Sequence, residues 1–374
     1  MRPRIILFTS SLNLGGTERM LLNLANQMAR KELDVWLVVC RGGNGELSAE
    51  ADSRIHIIDL EVAGNTYFSL PGFTKQLRII QPQAVLSALP NINLVAIWAV
   101  RLSRVKTHLV VSERNHLTAQ TGNSKQLSAR LRPWLYRTFY PWANGIIAVS
   151  RSVAEDLAIT AHIPPEKISV IYNPVFTPEI DERAEEPVDH PWLRKPTIPV
   201  VISVGRLHPQ KDHATLLTAF RNLLDRTDAR LIILGEGPLR PILESKIAEL
   251  NLSGYVEMPG TTSNPYAYMA KADVFVLPSA WEGFPNVLVE ALACGTPVVA
   301  TDCPGGSAEI LDGGRYGKLV SVGDDAAMAD AIMGSIEHPP DPEKLKERAR
   351  MFSAKNSLQH FLEALHLSET AYNL

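Results

Sequence analysis

Cysteine is scarce in this chain. Only Cys40, Cys294 and Cys303 occur in 374 residues, far apart from one another. A sparse, odd set builds no disulfide framework and fits a reducing cytosol. No C-x-x-C pair and no His/Cys cluster marks a metal site. An excess of one charge is also lacking: 37 Lys and Arg against 40 Asp and Glu leave a net charge of −3, so the global charge calls for no nucleic-acid partner. Long apolar runs are missing too. No stretch approaches the roughly 20 apolar residues of a membrane span; the most apolar segment, 85–100, is interrupted by Pro90, Asn91 and Asn93. The apolar run at the N-terminus stops at Thr9, too soon for a signal-peptide core, and reads as a first buried strand. Finally, the chain contains no D-x-D triplet.

What is present is a repeated alternation. Short apolar runs at 5–8, 35–39, 55–60, 84–87, 108–111 and 145–148 read as buried strands, and longer amphipathic stretches such as 18–31 and 71–80 read as helices. Strands alternating with helices predict a parallel sheet covered on both faces. Residues 174–199 then turn rich in proline and acid and read as a linker with little regular structure. The pattern restarts at 200–204, 231–234, 256–258, 274–277 and 297–300, and the chain ends in helical sequence over 341–372. Two such α/β units predict a cleft between domains, with ligands at the carboxyl ends of the strands.

The strongest local signal is the strand–loop–helix–strand run over 272–301. Gly283 and Pro285 shape its loop, and Pro285 stands where a helix can begin without losing a hydrogen bond. The helix then starts at Asn286, Val287 and Leu288, whose amides suit a phosphate. Glu282 precedes that start and Glu290 lies one turn beyond Asn286. Carboxylates accept hydrogen bonds from sugar and ribose hydroxyls. A second signal is the loop 204–212, where Gly205 permits a tight turn, Arg206 and Lys211 place two cations, and Asp212 is a plausible N-cap. Two such cations can hold a diphosphate and stabilise it as it leaves. Gly235 and Glu236 lie in a strand–glycine-turn–helix pattern, which an ordinary turn also explains. Gly15 and Gly16 follow the first strand and let backbone amides approach an anion, or simply form a turn.

Taken together, the Glu-x₇-Glu pair of Glu282 and Glu290 in this setting resembles the retaining GT-B glycosyltransferases of family four, over nearly the whole chain and most strongly over 200–317. The resemblance implies two Rossmann-like domains facing a central cleft: an acceptor domain over 1–175, a linker over 176–199, a nucleotide-sugar domain over 200–350, and a C-terminal helix over 351–374 that crosses back to the first domain. It implies that Glu290 binds the ribose, Glu282 contacts the donor sugar, Arg206 and Lys211 bind the diphosphate, and Gly235 and Glu236 lie near the base. Gly15 and Gly16 would face the phosphates. Arg114 and His116, after the strand 108–111, become candidates for the acceptor side, although a lone histidine is more often structural. The run Ser112, Glu113, Arg114, Asn115 is similar to bacterial hexosamine transferases of surface-glycan pathways. The implied activity is retaining transfer from a nucleotide-sugar, commonly a UDP-sugar, to a glycan or lipid-linked acceptor. The donor is a substrate and no cofactor is expected. Without D-x-D, side-chain cations would take the place of a metal. A sugar-nucleotide epimerase and a non-catalytic scaffold of the same fold are the alternatives; the former needs a group placed for proton abstraction, and the latter would be expected to have lost Arg206, Lys211 or Glu290.

One stretch stands apart from the donor chemistry. Lys125, Arg130, Arg132 and Arg137 are mixed with Trp134, Tyr136, Phe139, Tyr140 and Trp142. Basic and aromatic residues together suit an anionic membrane surface. An amphipathic helix burying its aromatics accounts for the same run, and both can hold at once. The expected setting is cytoplasmic, at the inner face of the membrane.

Overall fold

In a computed structural model, which describes residues 2–13, 15–122, 131–194 and 197–367, the apolar runs become strands of two parallel sheets. The chain divides into one unit of Met1–Pro174 with Ala354–Leu374, and a second of Val175–Ser353.

The first unit holds β1 (Arg4–Thr9), β2 (Asp34–Val39), β3 (His56–Asp59), β4 (Ala84–Ala88), β5 (His108–Glu113), β6 (Gly145–Ala148) and β7 (Ile168–Val170), in the order β3-β2-β1-β4-β5-β6-β7. All pairings are parallel. Ile5, Ile6, Leu7 and Phe8 of the central β1 are fully buried, as a strand covered on both faces requires. Helix Gly16–Arg30 lays Met20, Leu21, Leu24 and Met28 on one face of that sheet. Helix Ala354–Ala364 belongs to this unit: Leu358, Phe361 and Leu362 join the same core, and Ser357 Oγ donates to Tyr172 O at 3.0 Å.

The second unit holds β8 (Val200–Val204), β9 (Arg230–Leu234), β10 (Val256–Gly260), β11 (Val274–Leu277), β12 (Val298–Thr301) and β13 (Lys318–Val320), ordered β10-β9-β8-β11-β12-β13 and parallel throughout. In each sheet the order reverses beside the first strand, between β1 and β4 and between β8 and β11. Loops leaving the carboxyl ends of those neighbours diverge and open a crevice, the usual ligand position in such sheets.

The stretch 176–199 differs from expectation. It carries helices Glu179–Ala184 and Pro191–Arg194, and Ile180, Val188, His190 and Leu193 are buried in the second unit. Asn264 Nδ2 donates to Arg183 O at 2.8 Å, and Lys271 Nζ to Glu186 O at 2.6 Å. The composition that read as a linker is also that of helix starts: proline fits the first turn, and acidic side chains favour the positive N-terminal end. The edge strands β7 and β13, three residues each, escaped the sequence reading because half-exposed segments this short carry little periodicity.

Candidate active site

The second unit gathers its polar groups where the strand order reverses. The loop after β8 starts at Gly205, whose amide donates to Leu234 O at 2.9 Å. A Cβ on Gly205 would sit 3.2 Å from Lys211 Cε, so the glycine leaves the lysine its path. Asp212 adopts a left-handed φ of 43° and caps helix His213–Leu224 through Thr215 N and Thr215 Oγ1. The loop after β11 is tied to this one by Ala280 N donating to Gln210 O at 2.8 Å.

Glu282 stands at the centre of the two loops and is 5 % exposed. Lys211 Nζ is 2.6 Å from Glu282 Oε1, Ser279 Oγ donates to the same oxygen at 2.7 Å, and Gln210 Nε2 donates to Oε2 at 3.3 Å. A buried carboxylate needs such partners. The loop after β12 completes the frame: Glu282 N donates to Pro304 O at 2.8 Å, and Gly306 N to Gly283 O at 2.9 Å. Gly305 has a φ of +137°, and a Cβ there would lie 2.5 Å from Glu282 O.

Helix Asn286–Ala293 begins directly after the β11 loop. Leu288 is fully buried and its amide already donates to Pro285 O at 2.9 Å, so it is a poorer donor to a ligand than its place in the sequence implied. Asn286, Val287 and Glu290 are partly exposed. Arg206 is exposed. Gly235 and Gly237 have a packing reason of their own: Cβ atoms there would come within 2.0 Å of Gly205 O and 2.4 Å of Leu207 O. Glu236 forms a two-point pair with Arg240, at 2.8 and 2.6 Å, which holds its carboxyl below the usual range.

Two neighbours are kept neutral. Burial, seconded by Lys211, lowers the His213 pKa to about 4. Burial, with the Glu282 charge adding to it, raises the Cys303 thiol to about 11, which rules out a thiolate nucleophile at neutral pH.

In the first unit, Gly15 is the N-cap of helix Gly16–Arg30, and Ser10 Oγ donates to Glu18 Oε1 at 3.0 Å. A Cβ on Gly15 would lie 2.3 Å from Glu18 Oε2. Arg114 is 6 % exposed and donates to Asn173 Oδ1 at 2.6 Å and Ser112 Oγ at 3.3 Å. Burial lowers its pKa to about 10, against the opposing pull of Glu113. Glu113 is itself buried, accepts from Tyr140 OH at 2.9 Å and from Arg114 N at 3.1 Å, and burial raises its pKa. His116 Nδ1 is 3.3 Å from Asp156 Oδ2, which also accepts from Thr118 N. Both acceptor-side candidates are thus engaged in holding their own loop. Among the described residues, no group of three or more His, Cys, Asp or Glu is arranged to hold a metal, and no helix is long and apolar enough to cross a membrane.

The profile of the glycosyl transferases group 1 family matches residues 186–352, and that of glycosyltransferase family 4 matches residues 14–179. A Campylobacter jejuni N-acetylgalactosamine-N,N'-diacetylbacillosaminyl-diphospho-undecaprenol 4-alpha-N-acetylgalactosaminyltransferase is 31 % identical over 373 residues, covering 95 % of this chain and 98 % of the relative. The chain belongs to the group 1 glycosyltransferases. It is a hexosyltransferase-type enzyme with the GT-B fold of two Rossmann-like domains. Among solved structures, sucrose-phosphate synthase from Thermosynechococcus elongatus aligns with a TM-score of 0.80 at 19 % identity, over 98 % of each chain. Anabaena HepE in complex with UDP and glucose aligns at 0.77 and 21 % identity, over 98 % of this chain and all of that one.

For a group 1 glycosyltransferase, the sequence reading had named the main polar groups of the second unit but not their partners. Ser279, Gln210 and the Gly305–Gly306 turn were missed. The Pro304-Gly-Gly run after β12 is a legible turn signal; nothing local announces that Ser279 and Gln210 meet Glu282. Of the basic and aromatic stretch, Lys125 and Arg130 lie outside the described residues. Tyr136 and Tyr140 are fully buried and stacked at 4.0 Å, while Trp134 and Trp142 are exposed.

Proposed function

We propose that this glycosyltransferase moves a hexose or N-acetylhexosamine from a UDP-sugar to a glycan or lipid-linked acceptor, with retention of anomeric configuration, in surface-polysaccharide or glycolipid synthesis. The observation that carries the reading is the Lys211–Glu282 pair, 2.6 Å apart and framed by three strand-end loops at the switch point of the second sheet. An ammonium has three N–H donors. One serves Glu282, and two remain for phosphate oxygens. Arg206, on the same loop, supplies a second cation.

In the proposed reaction the bond from the anomeric carbon to the diphosphate breaks as Lys211 and Arg206 take up the developing charge. The acceptor oxygen bonds to the anomeric carbon from the same face, and its proton passes to a leaving phosphate oxygen. The helix start at Asn286 and Val287 adds partial positive charge. Glu290 accepts from the ribose hydroxyls and Glu282 from a sugar hydroxyl. No metal or other cofactor is required, because the cations are side chains. The relative's printed name, a transfer of N-acetylgalactosamine to a diphospho-undecaprenol-linked sugar, supports a lipid-linked acceptor. The UDP and glucose bound to Anabaena HepE support the donor class. A lipid-linked acceptor places the enzyme at the cytoplasmic face of a membrane, in peripheral contact with it.

The test is a turnover screen across UDP-, GDP- and ADP-sugars, with and without a polyprenyl diphosphate-linked acceptor, followed by NMR assignment of the product anomer. UDP release that rises with the acceptor, and an α product from an α donor, are expected. Conversion of the donor to its epimer without an acceptor, or no turnover of any nucleotide-sugar, would overturn the proposal.

A further inference from the structure

The distribution of charge along the chain is lopsided in a way the total conceals. Between residues 62 and 154 there are eleven Lys and Arg and one acidic residue, Glu113. That carboxyl is buried, so no acidic side chain from this stretch reaches the surface. The whole chain is nevertheless at −3, so the excess of acid lies entirely elsewhere.

The same stretch builds an aromatic cluster that the fold leaves at the surface. The turn Thr66–Ser69, the helix Pro90–Ser103, and the helix Arg132–Phe139 with its following turn Tyr140–Trp142 bring their rings into one connected set. Tyr67 lies 5.8 Å from Trp98, Trp98 5.3 Å from Phe139, and Phe139 5.0 Å from Trp142 and 6.4 Å from Trp134. Of these rings Trp134 is 60 % exposed and Trp142 50 %, and Phe68, next to Tyr67 in its turn, is 69 % exposed. Arg101 sits over the Trp142 ring at 5.5 Å. Arg137 projects to solvent from the same helix as Trp134.

We infer that this face of the first unit inserts into an anionic bilayer, with Phe68, Trp134 and Trp142 entering the headgroup–acyl boundary and the exposed Arg101 and Arg137 pairing with lipid phosphates. Tryptophan and arginine together are the side chains that settle at that depth, since each joins an apolar body to a polar end. A contiguous aromatic patch on a water-facing surface marks an interaction site. The exposed Arg101 and Arg137 beside these rings, with no acidic side chain of the same stretch at the surface, select an anionic surface as the occupant. Insertion is shallow, on the order of 5–10 Å, and reversible. The inference deepens the reading of a lipid-linked acceptor, and its physics is independent of the transfer chemistry.

Flotation of the full chain with phosphatidylcholine vesicles, with and without phosphatidylglycerol, tests it in the absence of any substrate. We expect binding to the phosphatidylglycerol vesicles that weakens with salt. Trp134→Ala combined with Trp142→Ala lowers partitioning on the order of tenfold or more, from the apolar area no longer buried. Arg101→Ala and Arg137→Ala each lower it about fivefold. All four side chains are exposed, so the variants fold, and donor turnover measured on the same preparations stays at the parent level. Absence of binding at low salt, or equal binding to vesicles lacking phosphatidylglycerol, overturns the assignment. So does a dimer in solution that the tryptophan substitutions dissociate, which would give the face to a second copy of the chain. A loss of donor turnover in the parent protein would instead count against the transferase reading.

Discussion

Replacing Lys211 by methionine separates what its charge does for the fold from what it does for transfer. The lysine side chain is 15 % exposed and the Glu282 side chain 7 %, with Nζ and Oε1 2.6 Å apart. Removing one member of a buried pair costs about 3–5 kcal/mol, because the other charge is left uncompensated. Here the lower end applies: the lysine keeps some contact with water, and Glu282 retains Ser279 Oγ at 2.7 Å and Gln210 Nε2 at 3.3 Å. A loss of about 3 kcal/mol lowers the melting midpoint of a unit this size by roughly 6–12 °C. Adding Glu282→Gln removes the second charge, and glutamine Oε1 can still accept from Ser279. Neutral groups of similar volume replace a buried pair at little cost, so the double variant should regain most of the lost stability. Its transfer rate should stay about 10² or more below the parent, because the cation that stabilises the leaving diphosphate is still absent. Calorimetric melts and steady-state transfer on the parent, both single variants and the double variant complete the cycle. An unchanged midpoint in Lys211→Met would refute the buried ion pair. Regained transfer in the double variant would refute the charge's part in the reaction.

Arg206→Ala, an exposed substitution, should leave the melting midpoint in place while turnover falls by about 10²; near-parent kcat would remove Arg206 from the diphosphate. Glu290→Ala should weaken UDP binding by about 1.5–3 kcal/mol in calorimetry, the worth of a hydrogen bond to a charged group, and an unchanged Kd would move Glu290 off the ribose. Turnover should persist in EDTA; its loss there and rescue by Mg²⁺ or Mn²⁺ would contradict side-chain cations acting alone. His213 titrates lower in the folded chain, at about 4, than in the unfolded one, mainly through burial. The unfolded state therefore takes up the proton first, and stability present above about pH 6.5 is lost as pH falls toward 4. His213→Gln should accordingly narrow the stability difference between pH 7.5 and pH 5 by about 2 kcal/mol, and parallel denaturation profiles for parent and variant would show that His213 does not carry the effect.

Much of the architecture was legible because it is written in short-range pattern. A strand buried on both faces must be apolar along its length, so β1, β8 and β11 stood out. Asp212 and Pro285 announced helix starts because capping and the proline ring act within a few residues. The pairing of residues across the sheet was not legible. Lys211 and Glu282 are 71 positions apart and meet only because β8 and β11 lie side by side where the strand order reverses. Arg114 read as an acceptor-side candidate, and nothing local announced that Asn173, 59 positions away, accepts from it inside the first unit. Tyr136 and Tyr140 fall four apart, on one helical face, and that spacing could have separated them from Trp134 and Trp142 in advance. The sequence by itself determined two parallel α/β units and the chemistry available at their strand ends, because periodicity, capping and residue type act locally. Only the tertiary structure decided which carboxylate faces which cation, which arginine is buried, and which aromatics reach the surface, because those outcomes depend on the order in which distant strands lie beside one another.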